Sequence, residues 1–153
     1  MTNEIKYILA IIISITLTNC GYKLTDKQLD FKTGNIEVSG KSRINYKIKN
    51  AIKFQERINS NKIFNLKIKT DKKKLIEDRN SKKEVTKYKI SLLTNLKILN
   101  DENILIKEYD FEKSTIYDTA SNYSINLDRE KKAEDNLIEE INNDILNIFK
   151  NDL

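Results

Sequence analysis

A chain of 153 residues has room for one ordinary domain and little more. It carries 28 lysines and arginines against 23 aspartates and glutamates, a net charge of +5, with no histidine and a single cysteine. The missing histidine removes the commonest general base and metal ligand, which speaks against a hydrolase or a zinc site, and one cysteine cannot close an internal disulfide. The basic excess attracts phosphates, whether in nucleic acid, lipid headgroups or lipopolysaccharide, and composition does not choose among them.

The first 19 residues divide like an export signal. Lys6 gives a weakly positive start, offset by Glu4, and Tyr7 to Leu17 is an apolar run. As a helix that run measures roughly 16 Å, against a hydrocarbon core of about 30 Å. It fits a signal-peptide core and not a membrane span. Leu17-Thr18-Asn19-Cys20-Gly21 follows and resembles a bacterial lipobox, with Asn19 where Gly, Ala or Ser is usual. The expectation is cleavage before Cys20 and acylation of its thiol and freed amine, a covalent lipid and no other cofactor. Several acyl chains anchor firmly where one is marginal. Gly21 after the cysteine implies sorting to the outer membrane. Residues 20–31 are polar and irregular and read as the lipidated tether, leaving 32–153 as one domain.

The mature chain then alternates its patterns. Asn35 to Ser39 alternates as a short strand, with Ile36 and Val38 on one side, and Gly40 marks the turn. Arg43 to Ile58 reads as a helix with an apolar stripe of Ile44, Ile48, Ala51 and Ile52, and Ser42 as its N-cap. Ile63 to Lys69 is a second strand. Glu84 to Leu99 is a third, with Tyr88, Ile90, Leu92, Leu96 and Ile98 opposite Lys87, Lys89, Ser91, Asn95 and Lys97. After the turn Asn100-Asp101-Glu102-Asn103, a fourth strand runs to Tyr117, its register hidden by Ile104-Leu105-Ile106. Asp128 to Lys150 is a long helix on the stripe Ala133, Leu137, Ile141, Ile145 and Ile148. The order β-α-β-β-β-α predicts an α+β sandwich: a mixed four-stranded sheet, its first two strands parallel through a right-handed crossover, with both helices on one face. The other face would carry Lys67, Lys69, Lys87, Lys89 and Lys97, solvated or against a partner.

The densest basic cluster is Lys67, Lys69, Lys72, Lys73, Lys74, Arg79, Lys82 and Lys83, placed on the second strand and in the loop after it. Asp71, Glu77, Asp78 and Glu84 dilute it. It reads either as a solvated hairpin or as a phosphate-binding tip, for which lysine serves as a point charge. Tyr109, Phe111, Tyr117 and Tyr123 read as core and edge packing. Carboxylate pairs such as Glu139 and Glu140 fall on a helix face, and there is no glycine-rich phosphate loop, CxxC or nucleophile elbow. The expectation is a protein that is not an enzyme.

Four stretches resemble the LPS-assembly lipoprotein family, LptE, in its alphaproteobacterial form. They are the mature start Cys20-Gly21-Tyr22-Lys23-Leu24, the strand leading to a helix with Arg43 near its beginning, Ser114 to Tyr123, and Ala133-Glu134-Asp135-Asn136-Leu137 with Ile141 and Ile145. Tyr123-Ser124-Ile125 stands where the family has a small residue. The resemblance implies a lipoprotein on the periplasmic side of the outer membrane. It would plug the LptD β-barrel, help that barrel assemble and take part in carrying lipopolysaccharide to the cell surface. The alternative is a periplasm-facing lipoprotein binding a small ligand or polysaccharide in a pocket between helices and sheet. An exported chain would not meet nucleic acid.

Overall fold

The computed structural model describes residues 29–152. The expected signal peptide, Cys20 and most of the expected tether lie outside them. The elements are β1 (Lys32–Gly40), α1 (Ser42–Gln55), β2 (Ile63–Arg79), β3 (Val85–Leu99), β4 (Leu105–Asp118) and α2 (Tyr123–Asn151). The sheet order is β1-β2-β3-β4, with β1 parallel to β2 and the other pairs antiparallel. The predicted α+β architecture is therefore the observed one.

Period-two alternation makes the sheet two-faced. Leu66 and Ile68 on β2 and Ile90, Leu92, Leu96 and Ile98 on β3 are buried on the helix side. Helix α1 lays Ile44, Ile48 and Ile52 there, and α2 lays Leu137, Ile141 and Ile145. Aromatic rings close one end of this layer, Phe31 stacking on Phe149 at 4.2 Å between centroids, with Phe64 at 6.1 Å from Phe149.

Several boundaries move from their expected places. Strand β2 continues to Arg79, so the loop expected after Lys69 shrinks to a turn at residues 80–84. The charges of residues 71–79 conceal a strand whose partner, β3, supplies the hydrogen bonds from Asp71↔Leu93 to Arg79↔Val85. Helix α1 stops at Gln55 because the next residues turn extended and pair with the incoming chain. Leu29 N–H donates to Gln55 O at 2.8 Å, and Arg57 N–H donates to Phe31 O at 2.8 Å. Its first cap is Lys41 with no side-chain bond, and Ser42 lies inside the helix instead of capping it. Helix α2 starts five residues early, because the Asn122 carboxamide oxygen accepts from the N–H of Ser124 (2.8 Å) and of Ile125 (3.4 Å).

The fold takes in Leu29 and Phe31, two residues of the expected tether. Phe31 is 2% exposed, and Leu29 packs against the core. Phe31→Ala should therefore cost about 3–5 kcal/mol, as for other buried aromatic truncations. A fall in the urea midpoint at unchanged slope would register it, whereas a residue of a loose tether would leave the midpoint where it was.

Candidate functional site

Register sorts the eight expected phosphate-binding residues onto two faces and a tip. Lys67, Lys69 and Lys73 share the open face of the sheet, because their neighbours across β3 are Lys97, Asn95 and Ser91. Lys89 and Lys87 continue that face, opposite Leu75 and Asp78. Lys72 and Lys74 point the other way, toward α2. Arg79, Lys82 and Lys83 lie at the turn, where Asn80 organises the backbone. Its Oδ1 accepts from Lys82 N–H at 2.9 Å and Glu84 N–H at 3.0 Å, and Arg79 Nη1 donates to Lys83 O at 2.7 Å.

The open face is striped by charge. Lysines fill its middle, while Glu108, Asp110 and Glu112 line β4. Lys67 pairs with Glu37 at 3.0 Å and Lys97 with Glu108 at 3.2 Å. Asn95 Nδ2 donates to both Glu108 Oε1 and Asp110 Oδ1, each at 2.8 Å. The Asn95 hydrogen bond, then that of Lys97, holds the Glu108 carboxyl below the usual range. Lys73, Lys87 and Lys89 have no ion-pair partner among the described residues. Exposed pairs of this kind exchange readily with solvent ions and contribute little to stability, so most of the lysine charge stays usable.

A shallow depression of about 530 Å³ opens on this face, lined by Lys67, Lys69, Lys97 and Glu37 beside the apolar Leu99 and Leu105. Ammonium groups next to aliphatic walls suit an amphiphile with an anionic head. The sequence hides this juxtaposition, because the alternation of β4 is masked by its aliphatic opening, Ile104-Leu105-Ile106. A group of three or more His, Cys, Asp or Glu able to hold a metal ion does not occur among the described residues.

Lys72 and Lys74 are committed to the helix side. Lys72 Nζ bonds Glu130 at 2.7 Å and Glu134 at 2.8 Å, and Lys74 Nζ bonds Glu130 at 2.6 Å. Lys74 also stands 4.2 Å from the centroid of the Tyr88 ring, and the Tyr117 hydroxyl donates to Glu130 at 3.2 Å. Burial disfavours each charge, yet the hydrogen bonds and opposite charges outweigh it. Both lysines are raised above their ordinary value, and Glu130 is held at about 2. Burial pushes the Tyr117 phenol up. Of the other aromatic residues singled out, Tyr109 and Phe111 are half-buried against the core, and Tyr123 is 75% exposed at the start of α2.

No protein-family model and no curated protein matches the sequence. The fold does have solved counterparts. A minor lipoprotein from Acinetobacter baumannii superposes with a TM-score of 0.60 at 14% identity, over 80% of this chain and 92% of that one. Lipoprotein B from Nitrosomonas europaea gives 0.58 at 13% identity, over 85% and 90%. A candidate lipoprotein from Caulobacter crescentus CB15 gives 0.57 at 12% identity, over 75% and 87%. At such identities the likeness shows a common fold.

The half-buried ion cluster has a pH signature. Glu130 is depressed from the ordinary 4.5 to about 2. Its stabilising contribution is complete above the ordinary value and is lost as pH falls toward the depressed one. Stability measured by denaturant between these limits should drop, and Glu130→Gln should flatten that slope. At neutral pH Lys72→Met leaves Glu130 and Glu134 without their shared cation and should cost about 1–3 kcal/mol. Lys73→Met, one residue away on the wet face, should stay within about 0.5 kcal/mol of the parent.

Proposed function

We propose that this chain is an exported lipoprotein, anchored through acylated Cys20 on the periplasmic side of the bacterial outer membrane. There it serves as the plug and assembly partner of the LptD β-barrel in lipopolysaccharide transport. The observation that carries the reading is a coincidence of two kinds of likeness. The sequence resembles the LPS-assembly lipoproteins at its lipobox and in its last helix, and the fold is that of three chains described as lipoproteins, spanning 87–92% of each. Among the described residues no helix is long and apolar enough to cross a membrane; anchoring is assigned to Cys20 on the lipobox-like stretch Leu17-Thr18-Asn19-Cys20-Gly21.

The physical form suits the task. A barrel lumen is wet and polar, and the open sheet face carries lysines along β2 and β3 and carboxylates along β4, with Leu75, Leu105 and Ile116 exposed among them. The lysines of the depression, Lys67, Lys69 and Lys97, are the assigned contacts for the phosphates of lipopolysaccharide, with Lys73, Lys87 and Lys89 extending the path toward the turn. Lys72 and Lys74 belong to the helix clamp and are not assigned a ligand. The small-ligand alternative required a sizeable apolar pocket between helices and sheet. That interface is filled by Ile48, Ile52, Leu92, Leu96, Leu137 and Ile141, all 0% exposed, and the depression lies on the opposite side.

Detergent extraction of the native chain should bring down a large β-barrel protein, and mass spectrometry should find Cys20 as the acylated first residue. Recovery of the chain alone, or an intact Met1 without acyl mass, would overturn the reading. Replacing Lys67, Lys69 and Lys97 together by glutamine should weaken binding of purified lipopolysaccharide roughly tenfold and reduce its salt dependence. The same exchange at Lys82 and Lys83 should change it far less.

A further inference from the structure

The lipid on Cys20 fixes one point of the chain, and the fold says which end of the domain that point is nearest. Leu29 joins at the last residue of α1. The pairs Lys32↔Ile63, Asn65↔Leu99 and Leu99↔Leu105 place the starts of β1, β2 and β4 and the end of β3 at that same end. Eight residues, Gly21 to Gln28, separate Cys20 from Leu29. Even fully extended they reach about 30 Å. The hairpin turn at the far end of β2 lies about 55 Å up that 17-residue strand.

The loops of this N-terminal pole carry exposed Asp30, Asp101 and Glu102, and large apolar side chains stand exposed among them. Phe54 is 80% exposed, Ile58 74%, Ile104 59% and Leu105 50%. Phe54 faces away from the sheet at the end of α1, and Ile58 follows in the loop to β2. Exposed Lys53 and Arg57 flank this pair, with Arg57 3.9 Å from exposed Asp30, a loose pair that solvent ions exchange readily. Aromatic and aliphatic tips beside cationic stems are the side chains that settle at the boundary of headgroups and acyl chains. The far end has exposed apolar residues of its own, Leu75 and Ile76 on the overhanging part of β2 and Tyr123, Ile125 and Leu127 at the start of α2, beyond the tether's reach when the domain stands upright.

We propose that, in the anchored chain before it enters a barrel, this pole docks on the phospholipid surface that holds the acyl anchor. Phe54 and Ile58 insert at the headgroup boundary, and Lys53 and Arg57 meet lipid phosphates. The domain is thereby set upright, with the β2–β3 hairpin directed away from that surface. The inference rests on the reading of Cys20 as the lipid-bearing residue.

The protein has no tryptophan, so a single introduced one reports alone. The acylated mature chain is placed in vesicles of phosphatidylethanolamine and phosphatidylglycerol, with and without bromine on the acyl chains. Phe54→Trp should emit further to the blue on vesicles and lose intensity to the brominated lipid. Leu75→Trp, about 40 Å along β2 from Ile63, should do neither. An acylated, vesicle-bound chain whose residue 54 is unquenched overturns the docking and leaves the lipoprotein reading intact. Quenching of both tryptophans alike overturns the upright orientation. A chain without acyl mass on Cys20 overturns the docking together with the reading on which it rests.

Discussion

The fold depends on one seam, the stripe of α2 laid along the helix-facing side of β3 and β4 and against α1. Leu137, Ile141 and Ile145 belong to one buried cluster with Leu92 and Leu96 of β3, and Tyr109 and Phe111 of β4 pack against it. The two surfaces change character together. Toward the N-terminal pole the contact is aromatic, Phe149 against Phe31 and Phe64. Toward the hairpin β2 replaces Ile68 by Lys72 and Lys74, and the helix replaces Leu137 by Glu134 and Glu130. Apolar burial holds the helix down but is indifferent to sliding along the strand. The ion cluster is not, because a slip of one turn would bury carboxylates against leucine. The ion pairs Lys47–Asp135 and Lys113–Asp144 tie the same helix to α1 and β4.

That seam explains which parts of the fold were legible in the sequence. Periodicity is strong where a face is buried, so the strands around Leu66 and Leu92 and the helix around Leu137 stand out. It vanishes where elements outrun the core. The first ten residues of α2 carry Tyr123, Ile125 and Leu127 outward, against the helical pattern, and only the Asn122 cap reveals the true start. The second half of β2 has charged residues on both faces, so it reads as loop. Phe31 lay in a segment with no repeat of its own, and a lone aromatic residue carries no period from which burial could be inferred. The lipobox-like stretch around Cys20 is a contiguous pattern that lies outside the described residues, so the fold does not bear on it.

The candidate site was legible as charge and illegible as geometry. Eight basic residues within 17 positions of sequence look like one cluster, and strand alternation divides them. Lys72 and Lys73 are neighbours in sequence, yet one is clamped between two glutamates and the other faces water. Lys97, thirty residues away from Lys67, is its direct neighbour across the sheet. Spacing along the chain can suggest such a partition only when the strand is recognised, and here the lysines themselves disguise the strand.

The overhanging hairpin gives those charges a second physical reason. Strand β1 ends at Gly40, paired with Thr70, so β2 has an open edge from Asp71 onward. A Cβ on Gly40 would lie 2.2 Å from Thr70 O, and its φ of +86° favours glycine, so the chain turns sharply away there into α1 and leaves that edge uncovered. The N-terminal end is closed instead. Asn65 accepts from Asn35 N–H at 2.7 Å and donates to Asn103 Oδ1 at 2.9 Å, binding β1 to the β3–β4 turn. An open edge invites pairing with other chains, and lysine-rich edges resist it. Density of charge on β2 is thus required by topology before any ligand is considered. What singles out Lys67, Lys69 and Lys97 is their position on the covered part of the sheet, where β1 already protects the edge and apolar walls stand beside them.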